Sequence, residues 1–343
     1  MSGKPRTKPP VLLCYEALFR SLKPRYREHP KLLSEYGKHV AGYQGEQAVD
    51  YAASISPLKN AAYYRGLRLL NGRFPFQMDT KIVTPAFQLI IEIKNMTGEL
   101  AYDSLHHQFI QTVGADKKRQ RNPIQQVTQQ KMHLQSWLQN FNLPLMPIET
   151  LTVVSNPNAI LHNIHEAPDV QNKLIHVESL PQKLQEIEKK YPQRLLTRQQ
   201  QLNLDRLLNS SDKPHHPDLV SMFGLQEDHF IQGIPCEKCD HSPMERLRVK
   251  WSCPRCGHTS IDAHVRVILD YFLLRKPTIS NSECRELLQL SMASTAYHLL
   301  NALDLKKTGH GRWRVYHAPP FNAFPQTDEP PSQRHNSFNH IKL

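Results

Sequence analysis

The chain has 343 residues, of which 39% are hydrophobic and 22% charged, and its formal net charge is +12. This length exceeds one ordinary hydrophobic core and predicts two or three domains. No apolar run approaches the roughly 18 residues that a membrane helix needs. The short apolar stretch from Val11 to Phe19 contains Glu16 and has no cleavage site after it, so we expect no signal peptide, no membrane contact and a cytoplasmic protein. The positive surplus suits a phosphate-binding surface, although a generally basic protein would share it.

The first half of the chain alternates between helical and strand patterns. A basic segment is expected over residues 1–37, followed by an α/β domain over residues 38–170. Apolar residues at three- and four-residue steps predict the helices, and Asn122-Pro123 is a typical helix start. In order, the predicted elements are a helix over 41–56, strands over 76–84 and 87–95 joined by a Pro85-Ala86 turn, a helix over 122–140 and a strand over 151–154.

The second half carries four further segments. They are a helical connector and linker over 171–217, a cysteine-bearing module over 232–260, a helical module with a strand pair over 262–317, and a Pro-, Asn- and His-rich tail over 318–343 that we expect to be disordered. The periodicity of the third segment predicts helices over 262–275, 282–289 and 293–303, followed by a turn at His310-Gly311. That order resembles a winged helix, with Lys306, Lys307, Arg312 and Arg314 on the wing. A small helical domain for protein contact is the alternative.

Two acids and a lysine are predicted to converge on one face in residues 76–95. If Pro85-Ala86 forms a two-residue turn, Asp79 lies directly opposite Glu92. Opposite residues in an antiparallel pair project to the same face, with Cβ atoms about 5 Å apart. Lys94 follows Glu92 by two residues and shares that face.

Carboxylates this close repel each other unless a cation lies between them. Such oxygens suit Mg²⁺ or Mn²⁺, and sites of this kind hydrolyse phosphodiesters by activating water. A neighbouring lysine can orient that water or stabilise the developing negative charge. Glu46 falls on the apolar face of the helix over 41–56, where a carboxylate is costly without a charged partner, and the metal site would supply one. Gly42 and Gly45 would let this helix approach closely.

These residues resemble the core of the PD-(D/E)xK nucleases, with Asp79 as the first acid and Glu92-Ile93-Lys94 as the E-x-K motif. More narrowly, the chain is similar over about residues 38–156 to the nuclease-related domain family, called NERD. The matching pieces are Gly42-Tyr43-x-Gly45-Glu46, Phe76-Gln77-Met78-Asp79, Glu92-Ile93-Lys94-Asn95, Gly98 and Asn122-Pro123-x-Gln125. Met78 stands where the superfamily has its proline, a departure that the narrower family shares.

The resemblance implies a PD-(D/E)xK-like mixed sheet flanked by helices. The implied site comprises Asp79, Glu92 and the Ile93 carbonyl as metal ligands, Lys94 as the partner of the attacking water, Glu46 as an accessory acid, and Gln125 with Gln129 facing the site from the second helix.

Two other interpretations of these residues stay open. Asp79 and Glu92 could be exposed strand residues that pair with Lys81 and Lys94 as a surface ladder, or the domain could be an inactive scaffold that only binds nucleic acid. The presence of Glu46, Asp79, Glu92 and Lys94 together favours the enzyme, because a scaffold does not need that set.

Four of the six cysteines form two matched pairs, Cys236-x-x-Cys239 and Cys253-x-x-Cys256, separated by thirteen residues. Each pair offers two thiolates on a tight turn, and together they supply four ligands for a structural zinc. A redox dithiol is the alternative, which two matched pairs disfavour. Four cysteines complete the shell, so His241 and His258 are surplus. Cys14 and Cys284 are expected to be small buried hydrophobes.

The sequence thus predicts an α/β nuclease domain, a zinc ribbon and a winged-helix module. We expect a Mg²⁺- or Mn²⁺-dependent nuclease that acts on nucleic acid, DNA rather than RNA, with the basic C-terminal half holding the substrate. A non-catalytic nucleic-acid-binding factor on the same scaffold, or a transcriptional regulator built on the winged helix, is the alternative.

Overall fold

The computed structural model describes residues 3–141 and 143–327. It divides them into two compact units, one of residues 3–6 with 38–215 and the other of residues 7–37 with 216–327. None of the described helices has the length and apolar character required to cross a membrane.

The helices are α1 Pro10–Ser21, α2 Pro24–Arg27, α3 Pro30–Ile55, α4 Pro123–Leu138, α5 Pro168–Lys173, α6 Leu180–Lys190, α7 Arg198–Ser211, α8 Leu219–Met222, α9 Ala263–Leu274, α10 Asn281–Leu288 and α11 Ala293–Asn301. The strands are β1 Ala62–Asn71, β2 Phe74–Val83, β3 Gln88–Lys94, β4 Glu99–Asp103, β5 Gln108–Val113, β6 Asp116–Gln120, β7 Ile148–Val154, β8 Ile160–Asn163, β9 Leu174–His176, β10 Glu245–Arg246, β11 Trp251–Ser252, β12 Thr259–Ser260, β13 Thr278–Ser280, β14 Lys307–Thr308 and β15 Val315–His317.

The first unit is built on a mixed five-stranded sheet of order β1-β2-β3-β7-β9. β1, β2 and β3 are antiparallel, whereas β3, β7 and β9 run parallel. The β2–β3 register pairs Thr80 with Ile91 and Val83 with Gln88. These pairs confirm the predicted turn and register, which places Asp79 opposite Glu92 one residue beyond the last pair.

Helices cover both faces of this sheet. On one face, α3 and α6 pack against alternate residues of β3, including Leu89, Ile91 and Ile93. On the other face, α4 and α7 pack against a cluster that contains Tyr64, Met78 and Ile90. The predicted mixed sheet flanked by helices is therefore present.

A second, four-stranded sheet of order β6-β5-β4-β8 was not predicted; β4, β5 and β6 lie between β3 and α4 in the sequence, and β8 follows β7. Asn122 joins it to α4: its side chain caps the helix by accepting from the Gln125 N–H at 3.0 Å. The same side chain donates to Tyr102 Oη at 3.1 Å and to the His107 carbonyl at 2.9 Å. The start of α4 is thereby fixed to the second sheet.

The expected separate basic segment over residues 1–37 is wrong for the described residues. Gly3 to Arg6 run beside β1, with the Lys4 N–H donating to the Tyr63 carbonyl at 2.8 Å. Leu12 to Phe19 are all buried in α1, which belongs to the second unit. The apolar stretch starting at Val11 is thus a core helix of that unit.

The second unit also contains a three-stranded sheet, β10-β11-β12, that carries the cysteines, and a module of α9 to α11 with a sheet of order β13-β15-β14. Ser280 caps α10 and forms a capping box with Glu283. The prediction of a disordered tail is wrong for 318–327, where Ala318 N–H donates to Pro277 O and Phe324 is 3% exposed. The rest of the tail, 328–343, lies outside the described residues.

Candidate active site

The structure brings Asp79, Glu92, Ile93 and Lys94 together at one end of β2 and β3. Asp79 Oδ2 accepts from the Ile93 backbone N–H at 2.9 Å. The Lys94 ammonium donates to Glu92 Oε1 at 2.6 Å, and Glu92 itself is 2% exposed. Neither acid is therefore part of a surface ladder, and Lys81, the partner proposed for that ladder, is fully buried.

Asp79 lies at an irregularity in β2. The β1–β2 register pairs Arg65 with Thr80 and Leu67 with Met78, but it omits Gly66 and Asp79. Gly66 has φ +60°, which an L side chain rarely adopts. Because the regular alternation of faces is interrupted at Asp79, this carboxylate reaches the site although neighbouring Met78 packs in the core beneath α4 and α7.

The α4 side chains that contact the site are Gln126 and Gln130. Gln126 Oε1 accepts from Lys94 Nζ at 3.1 Å, and Gln130 Nε2 donates to Glu92 Oε2 at 2.7 Å. Gln125 and Gln129, which the resemblance implied, are exposed and instead line a groove of about 540 Å³ beside the second sheet. The prediction is corrected by one residue, because the packing of Val127 and Leu134 sets the rotation of the helix.

Two buried polar atoms beside Glu92 have no hydrogen-bond partner among the described residues, namely Gln130 Oε1 and Thr152 Oγ1. Thr152 is paired with Glu92 in the parallel β3–β7 register, so both side chains lie on the same face. Unsatisfied buried polar atoms are rare in folded proteins and call for an explanation. Together with Glu92 they offer oxygen atoms of the kind that a hydrated divalent cation contacts.

Glu46 is held by a residue that the sequence did not single out. Arg6 forms an ion pair with Glu46, and the two side chains are only 10% and 21% exposed. The same guanidinium donates to both Asp50 oxygens at 2.8 and 3.2 Å, to Thr80 Oγ1 at 3.1 Å and to the Asp79 carbonyl at 3.4 Å. The charged partner that a buried Glu46 requires is therefore Arg6.

The helix that carries Glu46 does approach the sheet closely, but at one glycine only. A Cβ on Gly45 would lie 2.5 Å from Ser155 Oγ and 2.7 Å from Asn95 Cβ, whereas a Cβ on Gly42 would meet nothing within 4 Å. Asn95 also donates to the Ala41 carbonyl at 2.7 Å. The expectation of close approach is thus met by Gly45 and not by Gly42.

The acids of the site raise one another's pKa values. Burial raises the pKa of Asp79 well above its usual range, and the nearby charges of Glu92 and Glu46 raise it further. Burial also raises the pKa of Glu46 to about 7, although Arg6 opposes the shift. Carboxylates that resist ionisation in this way gain from a bound cation, which favours the charged form.

The donor set fits a divalent cation in its chemistry. Asp79 and Glu92 supply hard carboxylate oxygens on one face of the sheet. The three acids Glu46, Asp79 and Glu92 do not form a compact cluster: among the described residues, the cysteines form the one group of three or more metal-ligating side chains whose donor atoms all lie within 4.8 Å of one another.

The four paired cysteines form that compact cluster. Cys236 Sγ lies 3.7 Å from Cys256 Sγ, and Cys239 Sγ lies 3.6 Å from Cys253 Sγ. Tetrahedral zinc with Zn–S bonds of about 2.3 Å would place its sulfurs about 3.8 Å apart. The geometry is compatible with structural zinc.

The two cysteine turns have the same backbone design. Cys236 and Cys253 each donate their N–H to a carbonyl five residues on, of His241 and His258, both at 2.8 Å. The residue after each second cysteine, Asp240 or Gly257, has positive φ. Neither histidine belongs to the cluster. Cys14 and Cys284 are buried elsewhere, as expected.

A mixed sheet flanked by helices, with an acid on each of two neighbouring strands and a lysine two residues after the second acid, defines a nuclease-like α/β domain. The family model described as the nuclease-related domain matches residues 41–155, which supports the similarity that the sequence motifs indicate. No curated protein and no solved structure is significantly similar to the chain.

Several site residues could not be found from the sequence. Arg6 is separated from Glu46 by forty positions, so no local spacing indicates the contact. Gln126 and Gln130 are four apart on α4, and so are Gln125 and Gln129; only helix rotation distinguishes the two pairs. Thr152 could have been found, because a polar residue inside the apolar run 151–154 is unusual in a buried strand.

Proposed function

We propose that the first unit is a metal-dependent nuclease that hydrolyses phosphodiester bonds in DNA. The observation that carries the proposal is the end of the β2–β3 ladder away from the Pro85-Ala86 turn, where Asp79, Glu92 and Lys94 meet in a largely buried setting. Lysine and carboxylates arranged in this way match the E-x-K motif of the family, and a structural role alone would not require them to be buried together.

Each residue has a role in this proposal. Asp79, Glu92 and the Ile93 carbonyl would hold Mg²⁺ or Mn²⁺, which supplies charge neutralisation at the phosphate and acidifies bound water. Lys94 would orient the attacking water, and Glu46 would act as an accessory acid. Gln126 and Gln130 replace Gln125 as the α4 residues of the site: Gln126 positions Lys94, and Gln130 positions Glu92.

The second unit would bind nucleic acid. Its cysteine cluster would hold structural zinc, and its α9–α11 module has the element order of a winged helix, with α11 as the recognition helix. Four cations lie on or next to the last two strands, Lys306, Lys307, Arg312 and Arg314, and all but Arg314 are exposed. Cations on a wing would contact the phosphate backbone.

A non-catalytic nucleic-acid-binding factor is the second candidate. It is favoured by the ion pair of Glu46 with Arg6, which gives this acid a charged partner without a metal. A cleavage assay distinguishes the two. Closed circular single-stranded DNA is incubated with Mg²⁺, Mn²⁺ or EDTA, and wild type is compared with Lys94→Ala and with Lys189→Ala, which removes an exposed lysine from α6. Metal-dependent cutting by wild type and by Lys189→Ala, but not by Lys94→Ala, supports the nuclease. A wild-type protein that binds DNA without cutting it supports the second candidate.

A further inference from the structure

The most strongly basic exposed segment of the first unit is the edge strand β6 with the residue that follows it. Lys117, Lys118, Arg119 and Arg121 are all exposed there, and we call these four residues the basic edge strand. Within the part of the chain that the structure describes, no acidic oxygen lies within 4.0 Å of any of the four charged groups. Four neighbouring cations without acidic partners create a positive potential that attracts polyanions.

This strand is accessible along its length. The sheet order β6-β5-β4-β8 places it at an edge, paired only with β5. Successive side chains of a strand point to opposite faces, so Lys117 and Arg119 share one face and Lys118 projects from the other. Positive charge on both faces of an edge strand is also a known protection against sheet-to-sheet aggregation, and that role is the alternative explanation.

The basic edge strand is tied directly to the candidate active site. Arg121 precedes Asn122, the residue that caps α4 and fixes it to the second sheet. At 1.5 Å per residue, Gln126 lies about 6 Å along the helix axis from Asn122, and Gln126 contacts Lys94. A polyanion on the strand would therefore lie within a few residues of the side chains that surround Glu92.

The site itself cannot supply this attraction. Its acids repel phosphate, and its two closest cations are already engaged, Lys94 by Glu92 and Arg6 by Glu46 and Asp50. A substrate with a charged backbone must therefore gain most of its binding energy from cations outside the acidic centre.

We propose that the basic edge strand is the surface by which the first unit binds the phosphate backbone of nucleic acid and directs it to α4. The contacts are to phosphates, so binding is independent of base sequence. The identity of the partner as nucleic acid rests on the proposed function; the surface itself is inferred from charge, exposure and its connection to α4.

The test measures binding without cleavage. Full-length zinc-loaded protein carrying Lys94→Ala is titrated in EDTA-free, Mg²⁺-free buffer against fluorescent 20-nucleotide single-stranded DNA and the matching duplex, over 50–200 mM salt. The variant Lys117→Ala/Lys118→Ala/Arg119→Ala is compared with Lys189→Ala/Arg194→Ala/Arg198→Ala. The control removes the same charge from three exposed positions, Lys189 on α6, Arg194 beside the Pro85-Ala86 turn and Arg198 at the start of α7.

We expect the edge-strand variant to bind about 10-fold more weakly at low salt and to lose about 2 units from the slope of log K against log salt, since each phosphate contact contributes about 0.7 to 0.9. The control should change affinity less than about 2-fold. Equal affinities and slopes for the two triple variants would overturn the inference and leave protection of the edge as the role of the charges. The same conclusion would follow if the Lys94→Ala protein without further changes bound neither probe. Strong binding by a wild type that never cuts DNA would instead refute the nuclease while leaving the surface intact.

Discussion

Arg6 forms an ion pair with Glu46, forty residues later in the chain, and so connects the N-terminal segment to the helix that carries the accessory acid. The segment reaches this position because Lys4 bridges to Tyr64 along β1. Residues 4–6 are thus part of the candidate site.

Replacing Arg6 with alanine should destabilise the first unit by about 2–4 kcal/mol, because the mostly buried Glu46 would lose its cation and Asp50 would keep only its ion pair with Arg65. Arg6→Lys should recover part of the loss, since it restores the charge but not the forked geometry. Urea unfolding measures the effect, with the exposed Arg198→Ala as a control within about 0.5 kcal/mol of wild type. An Arg6→Ala protein as stable as this control would show that the ion pair contributes nothing.

Gln130→Ala should lower the cleavage rate by about 10- to 100-fold, because Glu92 Oε2 loses the donor that orients it. Gln129→Ala, the neighbouring exposed position on the same helix, should retain the wild-type rate. Steady-state cleavage of a labelled oligonucleotide gives both rates. A larger loss from Gln129 than from Gln130 would contradict the helix rotation in the structure.

Lys81 should make the first unit more stable at higher pH. It is fully buried on β2, where it donates to Gln88, and burial lowers its pKa to about 7. In the unfolded chain a lysine holds its proton to a pH of about 10.4, so between these values the unfolded state binds more protons and the free energy of unfolding rises with pH.

Lys81→Met should therefore remove the part of this slope between pH 7 and 10, which amounts to about 4–5 kcal/mol, and should stabilise the protein at pH 6. Chemical unfolding at several pH values measures it, and the exposed Lys59→Met should keep the wild-type slope. An unchanged slope in Lys81→Met would mean that this amine stays protonated in the folded protein.

Zinc should be bound at one ion per chain by the four paired cysteines. Cys253→Ser should abolish the stoichiometric zinc and expose the β10-β11-β12 sheet to proteolysis, since closed sites of this type contribute directly to folding. Cys284→Ala, which removes a buried cysteine far from the cluster in sequence, should keep the zinc. Elemental analysis measures the zinc content of each variant. Zinc retained by Cys253→Ser would refute the assignment of this cysteine as a ligand.

The parts of the structure that depend on local chemistry could be predicted from the sequence. The Pro85-Ala86 turn sets the β2–β3 register, and the register places Asp79 opposite Glu92. The spacing of the cysteines similarly determines their clustering. Asn122 indicates the start of α4 because its side-chain oxygen can accept a hydrogen bond from a backbone N–H of the first turn.

The parts that depend on tertiary packing could not be predicted. Nothing in the sequence around Arg6 indicates that it crosses to Glu46, and a one-residue rotation of α4 decides whether Gln125 or Gln126 contacts Lys94. The second sheet was missed because β6 is a run of charged residues without the alternation that marks a half-buried strand. Its edge position, exposed on both faces, explains that composition.

The measurement that tests the central claim most directly is the rate at which the protein converts supercoiled circular DNA to nicked and linear forms as Mg²⁺ or Mn²⁺ is added. The account predicts cutting that requires the metal, that EDTA stops, and that falls by at least about 100-fold in Asp79→Asn, which removes a ligand charge while keeping nearly the same shape. Equal cutting by wild type and Asp79→Asn, or no cutting by a wild type that binds the circle, would contradict it.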